Sequence, residues 1–168
     1  SLHGLVDIIS TRNRQLMAMN ASLEAKVAER TKALLDANEQ LERMALTDAL
    51  TGLPNRRHAL QWLARLWEES TTQGTPLALM MIDADGFKAI NDTYGHEAGD
   101  VVLIELSRAL TQNLRTDDCV CRLGGDEFLV LCPNTPLVDA LRVAEKLREH
   151  VASLHISAGA GVWQGSIS

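Results

Sequence analysis

The sequence predicts an α/β protein of the α+β type, in which helices flank a central, mostly antiparallel sheet and one long helix comes first. Two observations support this. The first 46 residues show only helical patterning, whereas the remainder alternates between amphipathic segments and short apolar runs of strand length. The second part reads helix, strand, helix, strand, strand, helix, strand, which is the order of a sheet covered by helices.

The long helix has the pattern of a coiled coil. Residues 2 to about 46 contain no proline and one glycine, and a helix of this length would extend roughly 65 Å, too far to lie on so small a domain. Asparagine at a-type seam positions favours a parallel dimer in one register. We therefore expect residues 1–46 to form a stalk that pairs with a second copy, rather than a helix packed on its own domain. The seam, in alternating steps of four and three, is Leu2, Val6, Ile9, Asn13, Leu16, Asn20, Leu23, Val27, Arg30, Leu34, Ala37, Leu41 and Met44.

Turn-forming residues separate the stalk from the second part. Asn55 is placed to cap a helix that runs to about Gln73, and Gly74 follows as a helix-ending residue. The apolar run Leu77–Asp83 has the length of a buried strand. The further predicted elements are an irregular polar stretch over 83–99, a helix opening at Gly99 and Asp100, a hairpin with strands over 119–123 and 128–132, a helix over 137–151 and a final strand over 156–162.

Composition limits the classes of function. The chain has 168 residues, 46% hydrophobic and 23% charged, which fits one globular domain with an appendage. A net charge of −6 argues against nucleic-acid binding, although a metal ion could still bring a nucleotide to an acidic site. Cys119, Cys121 and Cys132 match no zinc pattern and are predicted to be buried thiols in a reducing cytoplasm. No apolar run is long enough to span a bilayer, so we expect a soluble chain, whose parent protein could be attached to the inner membrane.

Acidic residues follow two of the predicted strands. Asp83 and Asp85 come where the first strand ends, and Asp126 and Glu127 lie at the tip of the hairpin. Carboxylates at the ends of neighbouring strands can converge, and hard oxygen ligands suit Mg²⁺. Two such ions can clamp the attacking and leaving oxygens of a phosphoryl transfer. The simpler interpretation is that these acids are only solvated; an EF-hand is excluded, because Phe87 occupies the position of the third calcium ligand.

Four motifs, in order and at matching spacing, resemble the diguanylate cyclases, the family named after the letters GGDEF. They are RLGGDEF at 122–128, TDALTGLPNRR at 47–57, DADGFKAIND at 83–92, and YGH with GD within 94–100. The resemblance covers residues 47 to about 162. It implies a fold like that of the nucleotidyl cyclases and polymerase palm domains, with a GGDEF domain over 47–168 after the stalk.

The resemblance also implies a reaction and a metal site. Two GTP molecules condense to cyclic di-GMP and two pyrophosphates in a dimer, the 3′-hydroxyl of each attacking the α-phosphorus of the other. The implied cofactor is Mg²⁺, two per active site, with Mn²⁺ as an alternative. The implied metal ligands are Asp83, the carbonyl of Ala84, Asp126 and Glu127, and the last two are the implied catalytic acids. Which acid takes the proton stays open.

Four further residues are implied to bind GTP. Asn91 and Asp100 would read the guanine edge, where a carboxylate acceptor discriminates against adenine because a mismatched buried polar group is costly. Lys88 would meet phosphate and His96 would lie beside the substrate. For His96, a helix-entry residue satisfied by backbone is an alternative interpretation.

Arg115 and Asp118 form an R-x-x-D whose aspartate lies six residues before Gly124. Its placement resembles the inhibitory site of the family, where the product binds and slows the enzyme. Arginine offers a planar fork to phosphate or to a guanine edge. The alternative is a solvated pair at a helix end.

The expected partners are GTP, cyclic di-GMP as product and inhibitor, a second copy through the coiled coil, and an upstream sensor domain; neither nucleic acid nor, for this fragment, a membrane is expected. Family members continue into a helix with the pattern A-D-x-A-L-Y-x-A-K, which helps to bind the phosphates. The sequence ends at Ser168, so we expect part of the triphosphate site to be missing from it. Two alternatives remain: a catalytically impaired receptor for GTP or cyclic di-GMP, which the presence of both hairpin acids disfavours, and a dimerisation element whose role is the stalk.

Overall fold

A computed structural model describes residues 2–168, without the side chains of residues 2–6 and of Arg43. The chain forms two compact units, one ending at Arg43 and the other beginning at Met44. The first consists of most of a single helix, α1, which covers Leu2–Leu46 and confirms the predicted long helix. The seam positions Leu2 and Val6 lie outside the described side chains.

Along α1, the large apolar side chains of the predicted seam are exposed. Each has more than half of its surface open to solvent in the single chain, and an exposed apolar row of this kind usually marks an interaction surface. These side chains are Ile9, Leu16, Leu23, Val27, Leu34, Leu41 and Met44.

The second unit contains a three-stranded antiparallel sheet with the order β1-β3-β2, and a separate two-stranded hairpin, β4-β5. It confirms the predicted α+β architecture. The elements are α2 (Arg56–Gln73), β1 (Leu77–Asp83), α3 (Phe87–Tyr94), α4 (His96–Gln112), β2 (Cys119–Gly124), β3 (Glu127–Pro133), α5 (Leu137–Ala152), β4 (His155–Ala158) and β5 (Gly161–Gln164).

Alternation along β3 divides the core into two layers, because successive side chains of a strand point to opposite faces. Phe128, Val130 and Cys132 face the layer that contains α4 and α5. Leu129 and Leu131 face the layer that contains α2. The sheet is therefore covered on both faces, and its strand ends remain open for a site.

The predicted caps of α2 are confirmed. The Asn55 side chain accepts a hydrogen bond from the His58 backbone N–H at 3.1 Å, and Gly74 ends the helix in the left-handed conformation with φ +66°. Both residues act through local geometry, which explains why the sequence alone located them.

Two predicted elements were wrong. The final strand over 156–162 is a hairpin, because the chain reverses at Gly159, whose φ of +62° breaks an extended run. The stretch 83–99 contains α3, and α4 begins at His96 rather than at Gly99. Helix α3 has only eight residues, too few for a helical period to stand out from a polar background.

Within residues 2–168, none of the helices combines the length and the apolar character that crossing a bilayer requires.

Candidate active site

The acidic ends of β1 and β3 lie side by side. Asp83 is the register partner of Glu127 across the antiparallel pair, and the Ala84 N–H donates to the Asp126 carbonyl at 3.2 Å. The pKa of Asp83 is raised, first by burial and then by the negative charges of Asp126, Asp85 and Glu127. The carboxylate of Asp83 thus lies within electrostatic reach of three others at the adjoining ends of β1 and β3.

These carboxylates fit a hard divalent cation, although their oxygens are not yet assembled around one point. Among the residues of the described chain, no three His, Cys, Asp or Glu side chains already have the arrangement of ligands to one ion. The like charges that raise the pKa of Asp83 are nevertheless the field that a bound Mg²⁺ would relieve. Exposed carboxylates can change rotamer, so these side chains can turn toward a bound ion.

Asp85 has different partners from the other three acids. Its carboxylate accepts hydrogen bonds from the Ser166 hydroxyl at 2.7 Å and the Ser168 hydroxyl at 2.8 Å. These two bonds, that from Ser166 first, lower the pKa of Asp85. The Asp85 carboxylate is therefore occupied by Ser166 and Ser168. Asp83, Asp126 and Glu127 remain as the carboxylates that could bind a cation.

The segment Asp83–Asp85 is fixed by residues about 80 positions later in the chain. The Asp83 N–H donates to the Ser168 carbonyl at 2.9 Å, and the Asp85 N–H donates to the Ser166 carbonyl at 3.0 Å. The Trp163 indole N–H donates to the Asp85 carbonyl at 2.9 Å. Sequence reasoning missed these supports, because no local pattern connects them to the acidic loop.

Arg122 holds the hairpin tip, and this role was also missed. Its Nη1 contacts both carboxylate oxygens of Asp48, at 3.0 and 3.1 Å. Its Nε and Nη2 donate to the Gly125 carbonyl at 3.0 and 2.8 Å. Thr51 donates to Asp48 through both its backbone N–H and its hydroxyl. One guanidinium thus connects the turn after α1 to the loop that carries Asp126.

We expect Asp48→Asn to lower the free energy of unfolding at pH 7 by about 1–3 kcal/mol, because the mutation leaves a half-buried guanidinium without its charged partner. The two side chains are only 22% and 12% exposed, so solvent screens the pair less than an ordinary surface pair. Urea unfolding measures the loss. The matched control is Asp139→Asn, which breaks the exposed pair with Arg142 and is expected to change stability by less than about 0.5 kcal/mol. Equal losses in the two variants would contradict the role given to Asp48.

The stability lost in Asp48→Asn should depend on pH. Burial raises the pKa of Asp48, but the hydrogen bonds from Thr51 and Arg122 outweigh it and the net pKa is lowered. A lowered folded-state pKa gives stability that is complete above the unfolded value of about 3.9 and is lost as the pH falls through the folded value. The difference between wild type and Asp48→Asn should therefore be constant near neutrality and shrink below about pH 4.

The predicted guanine-reading residues lie on α3 and at the start of α4. Asn91, on α3, is half-buried, and Asp100, on α4, is exposed. The Oδ1 atom of Asn91 is buried and has no hydrogen-bond partner among the described residues. Lys88 and His96 are exposed. The structure thus brings Asn91 against the first turn of α4, and places Lys88 and His96 on the surface of the same two helices.

The R-x-x-D residues form a turn just before β2. The Arg115 N–H donates to the Asp118 carboxylate at 3.0 Å, and the Asp118 N–H donates to the Arg115 carbonyl at 3.1 Å. Burial, followed by the charge of Asp118, raises the pKa of the underlying Cys132 thiol to about 12. Gly124 lies six positions after Asp118 along extended strand, or about 20 Å away. It is therefore distinct from the acidic cluster.

Lys146 is a further charged residue near this turn that sequence reasoning did not single out. Its Nζ donates to the Asn113 carbonyl at 3.4 Å, two residues before Arg115. Helix α5 thus brings a second cation to the same end of the sheet.

Comparison with known proteins agrees with this geometry. The family model described as "Diguanylate cyclase, GGDEF domain" matches residues 45–167. The response regulator PleD of Caulobacter vibrioides is 50% identical over 109 residues, which are 65% of this chain and 24% of PleD. Diguanylate cyclase DgcM of Escherichia coli is 46% identical over 123 residues, 71% of this chain and 29% of DgcM. The chain spans only about a quarter of the length of these two relatives.

Solved structures show the same architecture. The coiled coil and GGDEF domain of DgcB from Caulobacter crescentus, in complex with c-di-GMP, superposes with a TM-score of 0.77 at 31% identity, over 88% of this chain and 79% of that one. The diguanylate cyclase SiaD of Pseudomonas aeruginosa, in complex with its activator SiaC, gives a TM-score of 0.71 at 37% identity, over 97% of this chain and 62% of that one.

Proposed function

The chain belongs to the GGDEF-domain family of diguanylate cyclases, and on that basis we propose that the protein condenses two GTP molecules into cyclic di-GMP and two pyrophosphates. The observation that carries the proposal is the shared field of Asp83, Asp126 and Glu127 at the adjoining ends of β1 and β3. Incubation with GTP and Mg²⁺, followed by identification of the products, tests it. Cyclic di-GMP and pyrophosphate in a 1:2 ratio are expected from the balanced reaction.

Asp83, Asp126, Glu127 and the Ala84 carbonyl are the proposed holders of two Mg²⁺ ions, or of Mn²⁺ in their place. When bound, these ions would neutralise phosphate charge and lower the pKa of the attacking hydroxyl. The protein itself contributes rigidity: Ala84 is tied to the hairpin through the Asp126 carbonyl and to α3 through the Phe87 N–H, which donates to the Ala84 carbonyl at 3.3 Å. The remaining catalytic role, accepting the hydroxyl proton, falls to Asp126 or Glu127.

We propose that Asn91 and Asp100 recognise the guanine base. The packing of the Asn91 amide against Gly99, the residue before Asp100, supports this, because it places the two side chains next to each other. An exposed carboxylate at Asp100 can accept hydrogen bonds from the guanine N1–H and 2-amino group. Lys88 supplies a proposed contact to phosphate, and His96 flanks the nucleotide at the entrance to α4.

A dimer follows from the reaction, because one domain binds one GTP and the product contains two. We propose that residues 1–46 pair as a parallel coiled coil and that residues 47–168 form the catalytic domain. The exposed apolar seam of α1 supports this, since a second copy would bury it. An upstream sensor could then alter activity by shifting the register of the pair.

We propose that cyclic di-GMP inhibits the enzyme by binding at Arg115 and Asp118. Arg115→Ala is expected to weaken product inhibition about tenfold or more, because an arginine fork on phosphate or guanine is lost. Initial rates at increasing concentrations of added cyclic di-GMP give the inhibition constant. The matched control is Arg142→Ala, which removes an exposed arginine on α5. Cyclic di-GMP should inhibit this variant with the wild-type inhibition constant. An unchanged inhibition constant in Arg115→Ala would place the inhibition at the active site instead.

The receptor alternative keeps one supporting observation. The R-x-x-D turn is already closed by its own hydrogen bonds, whereas the acidic ligands are not assembled. Tight binding of cyclic di-GMP with no product formed from GTP would favour a receptor over an enzyme.

We propose the cytoplasm as the site of action, with attachment of the parent protein to the inner membrane compatible with it. The three free cysteines, all buried thiols, suit a reducing compartment. The net charge of −6 supports a small-molecule nucleotide substrate over a nucleic-acid partner.

A further inference from the structure

We propose that Gly99 is a positioning residue for base recognition: its lack of a side chain lets the first turn of α4 press against the Asn91 amide and fix its direction. The inference rests on the proposed function, because it concerns the same nucleotide site. It adds a residue that contacts no substrate and acts only through Asn91.

The space at Gly99 is already filled by its neighbours. A Cβ built on Gly99 would lie 2.9 Å from the Cγ of Asn91 and 3.0 Å from the Cε2 of Phe87, and closer still to the Asn91 Oδ1. A Cβ at such distances overlaps its neighbours, so one of these side chains would have to move. The same position has an ordinary helical backbone, unlike Gly95 with its φ of +88°. Glycine is needed at 99 for close approach rather than for conformation.

Packing is the main restraint on the Asn91 side chain. Its Oδ1 is buried without a hydrogen-bond partner among the residues that the structure describes. The backbone, by contrast, is fixed, because the Asn91 carbonyl accepts from the Gly95 N–H at 2.9 Å. A side chain anchored at its Cα but held at its amide by contact alone will turn when the contact changes. An alanine at 99 would therefore redirect the group that we assign to base recognition.

The effect of Gly99→Ala on base recognition can be separated from its effect on stability. Alanine is favoured over glycine inside a helix, and Gly99 lies within α4. In Gly99→Ala, the overlap with Asn91 lowers the stability of the fold and the higher helix propensity of alanine raises it. Only the overlap with Asn91 changes base recognition.

The experiment measures equilibrium binding of GTP and of ATP in the presence of Mg²⁺. We expect Gly99→Ala to weaken GTP binding about tenfold and to leave ATP binding almost unchanged, so that the preference for GTP falls. A general disturbance of the fold would weaken the binding of both nucleotides equally. Val101→Ala, on the same helix, is the matched control and should keep the wild-type preference.

A double-variant comparison tests the route through Asn91. In an Asn91→Ala background, Gly99→Ala should cause no further loss of GTP preference, because the group it displaces is gone. A full additional loss in that background would overturn the proposal. If Gly99→Ala alone fails to fold, the double variant should recover the fold, because the two closest overlapping atoms belong to the Asn91 amide and the Phe87 ring, 3.0 Å away, needs to move only slightly. Continued unfolding would also overturn the proposal.

The outcomes distinguish this inference from the proposed function. A wild-type protein without preference for GTP over ATP would contradict the proposed function itself. If the wild-type protein prefers GTP and Gly99→Ala keeps the same preference, the proposed function stands. Only the role of Gly99 is then overturned.

Discussion

Replacing Asp126 with alanine is expected to lower the rate of cyclic di-GMP formation by about a thousandfold or more, because it removes a carboxylate from the proposed metal site. The fold should survive. Asp126 contributes no apolar side chain to the core, and its backbone carbonyl would still accept from the Ala84 N–H. Product formation from GTP and Mg²⁺, measured with equal amounts of folded protein, gives the ratio of rates.

Two measurements make this result specific. Asp139→Ala removes an exposed carboxylate on α5 and should turn over GTP at the wild-type rate. Thermal unfolding of Asp126→Ala should match wild type or exceed it, because removing one of several like charges relieves repulsion. Undiminished turnover in Asp126→Ala would contradict the assignment of the acidic cluster as the catalytic centre.

Removing the stalk is expected to produce the second large effect. A chain that begins at Met44 keeps Ala45 and Leu46, whose carbonyls accept hydrogen bonds from the Asn55 side chain and backbone. Tethering through a coiled coil gives an effective concentration of about 1 mM, whereas an assay uses on the order of 1 μM protein. The truncated chain should therefore lose on the order of a hundredfold to a thousandfold in specific activity at that concentration. Its specific activity should then rise with protein concentration, while that of the full chain stays constant.

A point variant separates dimerisation from other effects of truncation. Val27→Asp places a charge on the exposed seam and should reproduce the concentration dependence, whereas Lys26→Asp, one residue away and off the seam, should not. Sedimentation of the same samples gives the fraction of dimer. Curves of activity against concentration that overlap for the full and truncated chains would show that the stalk neither dimerises the protein nor controls it.

The parts of the fold that the sequence predicted are those encoded locally. The long helix followed from an uninterrupted heptad spacing, and the α2 caps from Asn55 and Gly74. The hairpin followed from Gly124 and Gly125 between two apolar runs. The position of the two acidic segments beside each other was predicted as well, because antiparallel pairing places the end of β1 beside the start of β3.

The parts that the sequence did not predict depend on contacts between distant residues. The Asp48–Arg122 pair joins positions 74 apart, and the Ser168 hydroxyl reaches Asp85 across 83 residues. Neither leaves a periodic trace in the sequence. The crowding of Gly99 against Asn91 is likewise invisible until α3 and α4 are packed, since a glycine within a helix usually indicates only a weaker helix.

The contacts of Arg122 have an evolutionary consequence. Three of its nitrogens hold two different groups, the Asp48 carboxylate and the Gly125 carbonyl. Lysine, with one terminal nitrogen, keeps the charge but cannot reproduce this planar fork. A lineage that lost arginine at 122 would leave Asp48 without its cation and the hairpin tip without its support. We therefore expect positions 48 and 122 to be inherited as a pair, and to change together when they change at all.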